Sequence, residues 1–154
     1  MQGKWFHFVS RKLHPKQQTQ SVPAIGVPCI YLLAESGLRN PIYIGEYGKS
    51  EKYNVIGRIE AHFGKNRNLR CVAKNMTAFK LTVPERVTAY VIELDNRFTD
   101  QASRRSLEAW VIIIVCNQLR IHDNRFAVTS FSAPTTDYEL LAREIVSSYI
   151  GACD

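Results

Sequence analysis

The amino-acid sequence predicts an α/β domain: a small, mainly antiparallel sheet of three strands, flanked by helices. Three features of the 154 residues support this class. Two short apolar, β-branched segments follow each other across a turn. A third such segment lies in the second half of the chain, and segments with helical periodicity lie between and after them. The resulting order, β-β-α-β-α-α, is typical of an antiparallel sheet covered by helices.

The first two predicted strands form a hairpin. Residues 27–33 are almost continuously apolar and end at the turn sequence Glu35-Ser36-Gly37, and residues 41–44 form a second apolar run that ends at Gly45. Two such runs joined by a short polar connection predict a β-hairpin. Residues 1–22 mix aromatic, basic and polar side chains, so we expect an N-terminal arm there, which could contain a short strand and ends in a linker, and a single domain over 23–154.

The remaining elements follow from capping signals and periodicity. Asn54 can cap a helix that carries apolar residues on one face, and Gly64 can end it. Residues 87–94 are β-rich and predict the third strand. Residues 100–119 contain no glycine or proline and many apolar side chains, which predicts a long helix that is mostly buried. Residues 134–137 precede a last amphipathic helix.

Positive charge is concentrated in the first half of the chain. Residues 1–77 hold twelve Lys or Arg against four Asp or Glu, a net +8, whereas residues 78–154 hold eight against ten, a net −2. This asymmetry predicts a polyanionic partner. No apolar run approaches the roughly 20 residues that span a bilayer, and the start does not resemble a signal peptide. We therefore expect a cytoplasmic or otherwise intracellular protein without a membrane partner.

The four cysteines lie far apart, without the close pairing of a zinc knuckle or a redox motif. They are interpreted as reduced structural thiols. Pairs such as Cys71 with His62, or Cys116 with His122, are too loosely spaced to indicate zinc.

Several motifs occur together on the predicted elements. Cys29-Ile30-Tyr31 and Tyr43-Ile44-Gly45 lie on adjacent strands, Arg58 and His62 lie one turn apart on the first helix, and Glu108 lies on the long apolar helix. Over residues 26–125 this pattern resembles the GIY-YIG nucleases. The resemblance implies a GIY-YIG-like fold and a divalent-metal-dependent endonuclease that hydrolyses phosphodiester bonds. DNA is expected rather than RNA, because DNA is the commoner substrate among such proteins.

The resemblance also implies roles for particular residues. It assigns catalysis to Tyr31, Tyr43, Arg58, His62 and Glu108, with Mg²⁺ or Mn²⁺ bound at Glu108. A supporting asparagine is expected after the glutamate, and Asn124 fits better than Asn117. Asp95 and Glu93 are weaker alternatives for a second metal ligand. Six basic residues are candidates for contacts with the nucleic-acid backbone: Lys49, Lys52, Lys65, Arg67, Arg70 and Lys74.

The chemistry of phosphodiester hydrolysis needs an activated water, a charge clamp on the phosphoryl group and a metal at the leaving oxygen. Tyr31 and Tyr43 can face the same side of the sheet, where a phenol could orient or deprotonate water if Lys49 and Arg58 lowered its pKa from about 10. Alternatively, both tyrosines are ordinary strand residues.

Each remaining candidate has a structural alternative. Arg58 could hold a phosphate bidentately, or it could pair with Glu60 or Glu51. His62 could assist proton transfer or hold the phosphate, or it could be a buried structural histidine. Glu108 precedes a strongly apolar stretch and needs a partner there, either Mg²⁺ with several waters or a neighbouring arginine, Arg104 or Arg105.

The sequence departs from the family pattern in two places. Cys29 replaces the first glycine, and the loop between Gly45 and Arg58 is longer than usual, so that Tyr47 or Tyr53 could share or take over the tyrosine role. Two other functions compete with the nuclease: a non-catalytic nucleic-acid-binding module that retains the fold, and a domain that binds an acidic protein.

Overall fold

The computed structural model describes residues 1–10, 12–15, 21–48, 52–63, 72–78 (without the side chains of 73–75), 80–120 and 133–154. Its elements follow the chain in this order: β1 (Lys4–Val9), β2 (Lys12–Leu13), β3 (Cys29–Glu35), β4 (Pro41–Tyr47), α1 (Val55–His62), α2 (Val72–Ala78), β5 (Arg86–Glu93), α3 (Gln101–Leu119) and α4 (Glu139–Cys153). A 3-10 turn, Asn96–Phe98, connects β5 to α3.

The sheet has five strands in the order β2-β1-β5-β3-β4, and every neighbouring pair is antiparallel. The predicted α/β class is confirmed, but the predicted count of three strands was too low. The two additional strands come from residues 1–22, which were expected to form an arm. β1 pairs with β5 along its whole length, from Lys4 opposite Val91 to Val9 opposite Arg86.

The two faces of the sheet carry separate hydrophobic clusters, because successive side chains of a strand point to opposite sides. One cluster joins the sheet to α1 and α2 and contains Phe6, Tyr31 and Val55. The other joins it to α3 and α4 and contains Ile30 and Val111. The helices therefore form one layer on each face, and β4 is left at an edge of the sheet where α1 and α3 approach from opposite sides.

Side-chain caps begin two of the helices, and one of them, Asn54, was predicted from the sequence. The Asn54 side chain accepts a hydrogen bond from the Gly57 backbone N–H at 3.0 Å and begins α1. The Asp100 side chain accepts one from Ser103 at 2.9 Å and begins α3. These bonds satisfy backbone donors that a helix leaves without partners in its first turn. Gly64, predicted to end α1, lies outside the described residues. Within those residues, no helix combines the length and apolar character needed to cross a bilayer.

Candidate active site

The hairpin of β3 and β4 places Tyr31 directly opposite Gly45. A Cβ atom at Gly45 would lie 2.4 Å from both Cζ and Oη of Tyr31 and 2.7 Å from the ring of Tyr43. Such distances are far below van der Waals contact, so only glycine leaves room for the Tyr31 ring at this position. The glycine of the Tyr-Ile-Gly motif therefore has a local steric reason, independent of any catalytic role.

Tyr31 connects the sheet to α1. Its hydroxyl oxygen lies 2.6 Å from Nε2 of His62, and Arg58 lies near enough for its charge to act on the Tyr31 pKa. The hydroxyl has a single hydrogen, which it can donate to the histidine nitrogen. Tyr43 packs against the same imidazole with 4.7 Å between ring centroids. As predicted, the two tyrosines share a face, and α1 covers them.

The titration behaviour of this group differs from the prediction. Tyr31 is fully buried, and this burial, followed by the nearby Tyr43, raises its pKa well above 10 although the Arg58 charge opposes the rise. The condition for a phenol that activates water, a pKa lowered by cationic neighbours, is therefore not met at Tyr31, because desolvation outweighs the Arg58 charge. Burial, and then Arg58, lower the pKa of His62 to about 3. His62 is consequently neutral at pH 7, and its Nε2 can accept the Tyr31 hydrogen.

A cleft of about 210 Å³ lies at the β4 edge, between the start of α1 and the start of α3. Its described lining contains two cations, Arg58 and Arg104, and one anion, Glu46; the other lining residues are Tyr47, Gly48, Tyr53 and Gln101. Arg58 is half-buried and thus reaches from the buried phenols to solvent. Glu60 was the alternative ion-pair partner of Arg58 in the sequence analysis. Glu60 instead pairs with Lys12 at 3.2 Å. The alternative partner Glu51 lies outside the described residues.

Arg104 forms the side of the cleft that belongs to α3. Its Nε donates to Oε2 of Glu46 at 2.6 Å, and its Nη1 donates to the backbone oxygens of Phe98 and Thr99 at 3.0 and 2.6 Å. The side chain is only 3% exposed. A Cβ atom at Gly48 would lie 2.4 Å from the guanidinium carbon, so glycine is required where the chain leaves β4. Arg104 thus ties β4 to α3 and to the turn before it.

Glu108 lies one turn after Arg104 on α3 and is partly exposed. Burial raises its pKa to about 8, and the negative charge of Glu46 adds to the rise, while Arg105 and Arg58 oppose it. The expected competition with Arg104 is resolved, because that arginine pairs with Glu46. Within the described residues, Glu108 makes no ion pair closer than 4.0 Å. It is a carboxyl group whose surroundings favour the neutral form.

The two glutamates are the candidate metal ligands of this region. They lie on β4 and α3, near enough for the Glu46 charge to raise the Glu108 pKa. Among the described residues there is no group of three or more His, Cys, Asp or Glu side chains able to hold a metal ion. The weaker alternatives are engaged elsewhere, since Asp95 pairs with Arg97 at 2.7 Å and Glu93 approaches Lys4 at 3.9 Å.

The chain matches no family model, no curated protein and no solved structure in searches of each kind.

Other predicted residues are distributed as follows. Lys52 is exposed beside the cleft residue Tyr53. Lys74 belongs to α2, but its side chain is not described. Four other basic candidates and the supporting asparagine lie outside the described residues: Lys49, Lys65, Arg67, Arg70 and Asn124.

Cys29, in place of the family's first glycine, is fully buried. Burial, followed by the Glu93 charge, raises its pKa to about 12, so that it remains a protonated thiol. Cys116 and Cys153 are also free thiols.

The prediction did not include Glu46 or its partnership with Arg104. A sequence signal for Glu46 did exist. It follows Gly45 directly on an alternating strand, and since Tyr43 and Tyr47 face α1, Glu46 must face the opposite layer, where α3 lies. The sequence analysis considered Arg104 only as a partner for Glu108. An ion pair within one helix can be recognised from residue spacing, whereas a pair between residues far apart in the sequence cannot.

Proposed function

We propose that this protein is a divalent-metal-dependent endonuclease that hydrolyses phosphodiester bonds in nucleic acid, with DNA as the expected substrate, and that it has a GIY-YIG-like fold. The observation that carries the proposal is that Arg58 and Glu46 line one cleft at the β4 edge, while Glu108, on the neighbouring helix α3, lies near enough to both for their charges to affect its pKa. Phosphoryl transfer depends mainly on positioning and on charge stabilisation, and these groups can provide both.

Arg58 is the phosphate-binding group in this proposal. Its guanidinium lies near Tyr31 on the buried side and lines the cleft on the other. Its half-buried position restricts its rotation, so less conformational entropy is lost when it binds a phosphate bidentately. Tyr31 and His62 then act as positioning residues. His62 is neutral at pH 7 and buried, so its part is to accept the Tyr31 hydrogen rather than to charge the site.

The residues of the site fit a divalent cation. Mg²⁺ is commonly held by one or two carboxylates together with several waters; Glu108 can provide one carboxylate, whereas Glu46 is held by Arg104 at 2.6 Å. The raised pKa of Glu108 supports the fit, since a cation that binds beside a buried carboxyl group stabilises its carboxylate form. A bound Mg²⁺ or Mn²⁺ would supply Lewis-acid stabilisation of the charge that develops on the phosphoryl and leaving oxygens.

The experiment compares cleavage of supercoiled plasmid and of single-stranded DNA and RNA in Mg²⁺, in Mn²⁺ and in chelator. The parent protein is expected to cleave with metal and not with chelator. Arg58→Ala and Glu108→Gln should lose activity while keeping their circular dichroism spectra. Arg143→Ala and Glu139→Gln are matched controls, because these residues form an exposed pair on α4 and should cleave like the parent.

Two outcomes would reject parts of the proposal. Folded Arg58→Ala and Glu108→Gln proteins that cleave as fast as the parent would reject the assigned site. Binding of nucleic acid without cleavage in any metal would instead support the non-catalytic binding module.

A further inference from the structure

Four tyrosines surround the hairpin and the cleft, and the structure separates them by exposure. Tyr31, Tyr43 and Tyr47 are 0%, 7% and 4% exposed, respectively. Tyr53 is half-buried and lines the cleft together with Arg58. A phenol that meets a macromolecular substrate must reach the surface, and of these four Tyr53 reaches it furthest.

Tyr47 positions Tyr53. The Tyr47 hydroxyl donates to the backbone oxygen of Tyr53 at 2.5 Å and accepts from the backbone N–H of Gly26 at 3.1 Å. The Tyr53 side chain also packs on the start of α1, where a Cβ atom at Gly57 would lie 2.6 Å from the Tyr53 Cβ. Both contacts hold Tyr53 over the turn that carries Arg58.

The charges of the cleft favour an anion beside this phenol. The described lining holds two cations, Arg58 and Arg104, against the single anion Glu46, whose charge Arg104 already balances. Arg58 is therefore the cation available to a ligand, and it lies close enough to Tyr53 for the two side chains to interact electrostatically. A guanidinium and a phenol hydroxyl together can bind two oxygens of one phosphate.

We propose that Tyr53, rather than the buried Tyr31, donates its phenol hydrogen to a phosphate oxygen of the bound nucleic acid, beside Arg58. This inference rests on the proposed function for the identity of its ligand. Tyr31 then remains buried, with its hydroxyl bonded to His62, and Tyr53 contacts the substrate.

The test measures binding and cleavage separately. Binding of labelled single-stranded and duplex oligonucleotides is measured by fluorescence anisotropy in chelator, on a Glu108→Gln background. Tyr53→Phe should weaken binding roughly 10- to 100-fold, the range for one hydrogen bond to a charged group, without changing the melting temperature. Tyr138→Phe is the matched control, because Tyr138 packs against Phe98 and does not line the cleft, and it should bind like the parent.

A double-mutant cycle identifies the shared phosphate. If Tyr53 and Arg58 hold the same group, Tyr53→Phe should cost less in an Arg58→Ala background than in the parent. Unchanged binding by Tyr53→Phe, or equal costs in both backgrounds, would overturn the inference while leaving the nuclease proposal intact. Tyr53-dependent binding without cleavage in any metal would support the contact and reject the nuclease. Absence of all nucleic-acid binding would overturn both.

Discussion

Replacing Glu108 with glutamine should remove a pH dependence that this carboxyl group imposes on folding. Its pKa in the folded protein is about 8, against an ordinary value of 4.5. The unfolded chain therefore releases this proton at a lower pH than the folded chain. The free energy of unfolding consequently falls as the pH rises from 4.5 to 8. The slope is about 1.4 kcal/mol for each pH unit. Between pH 6.5 and 8 the loss is about 2 kcal/mol, or roughly 4–8 °C in melting temperature for a domain of this size.

His62 produces the opposite slope in a different pH range. Its pKa falls from 6.5 to about 3 in the folded protein, so the unfolded chain takes up a proton first, and stability is lost as the pH falls below 6.5. The contributions of the two groups cancel between pH 4.5 and 6.5. Between pH 6.5 and 8, the contribution of Glu108 to stability is therefore separated from that of His62.

The assay is thermal unfolding followed by circular dichroism at pH 6.5, 7.25 and 8 in chelator. The parent and the control Glu139→Gln should lose stability across this range, and Glu108→Gln should lose about 2 kcal/mol less. Mg²⁺ at pH 8 should raise the melting temperature of the parent and leave Glu108→Gln unchanged, because cation binding favours the carboxylate. Parallel pH profiles for the parent and Glu108→Gln would refute the assigned environment of this carboxyl group.

Three further substitutions test the packing around the site. Gly45→Ala should destabilise the fold by about 1–3 kcal/mol in urea unfolding, because its Cβ would overlap the Tyr31 ring. The control Gly151→Ala places its Cβ in open space on α4 and should not destabilise the fold. Equal effects of the two substitutions would contradict the steric argument. Tyr31→Phe should cost about 1–3 kcal/mol, since it leaves a buried histidine nitrogen without its donor; a melting temperature equal to that of the parent would contradict that bond. Arg104→Ala should lower the free energy of unfolding by about 3–5 kcal/mol, because it leaves Glu46 without its partner. The control Arg143→Ala removes an exposed arginine and should cost less than about 1 kcal/mol. Similar losses in the two variants would contradict the buried pair.

The elements predicted from the sequence are those whose signals are local. The hairpin, α1, α3 and α4 follow from apolar periodicity, turn residues and the capping side chain of Asn54. β1 was missed as part of the sheet because its partner β5 begins about 80 residues later, and no local pattern specifies a pairing across that separation. Residues 4–9 alternate buried and more exposed side chains, a strand pattern, but this pattern alone does not identify the neighbouring strand.

The sequence predicted which residues come together in the candidate site. It did not predict how deeply they are buried or which charges surround them. Strand alternation placed Tyr31 and Tyr43 on one face, and helical spacing brought Arg58 and His62 together with them. The sequence could not indicate how deeply Tyr31 is buried, and this depth decides the direction of its pKa shift. The pair of Glu46 and Arg104 joins residues 58 positions apart, so it became visible only in the folded chain.

The most direct test of the central claim is the single-turnover rate at which the parent and Glu108→Gln proteins cleave one duplex DNA substrate in Mg²⁺. Loss of the carboxylate should reduce the rate by at least about 100-fold, as for other groups that stabilise transition-state charge, while the variant remains folded and still binds the duplex. A folded Glu108→Gln protein that cleaves the duplex at the parental rate would contradict the account.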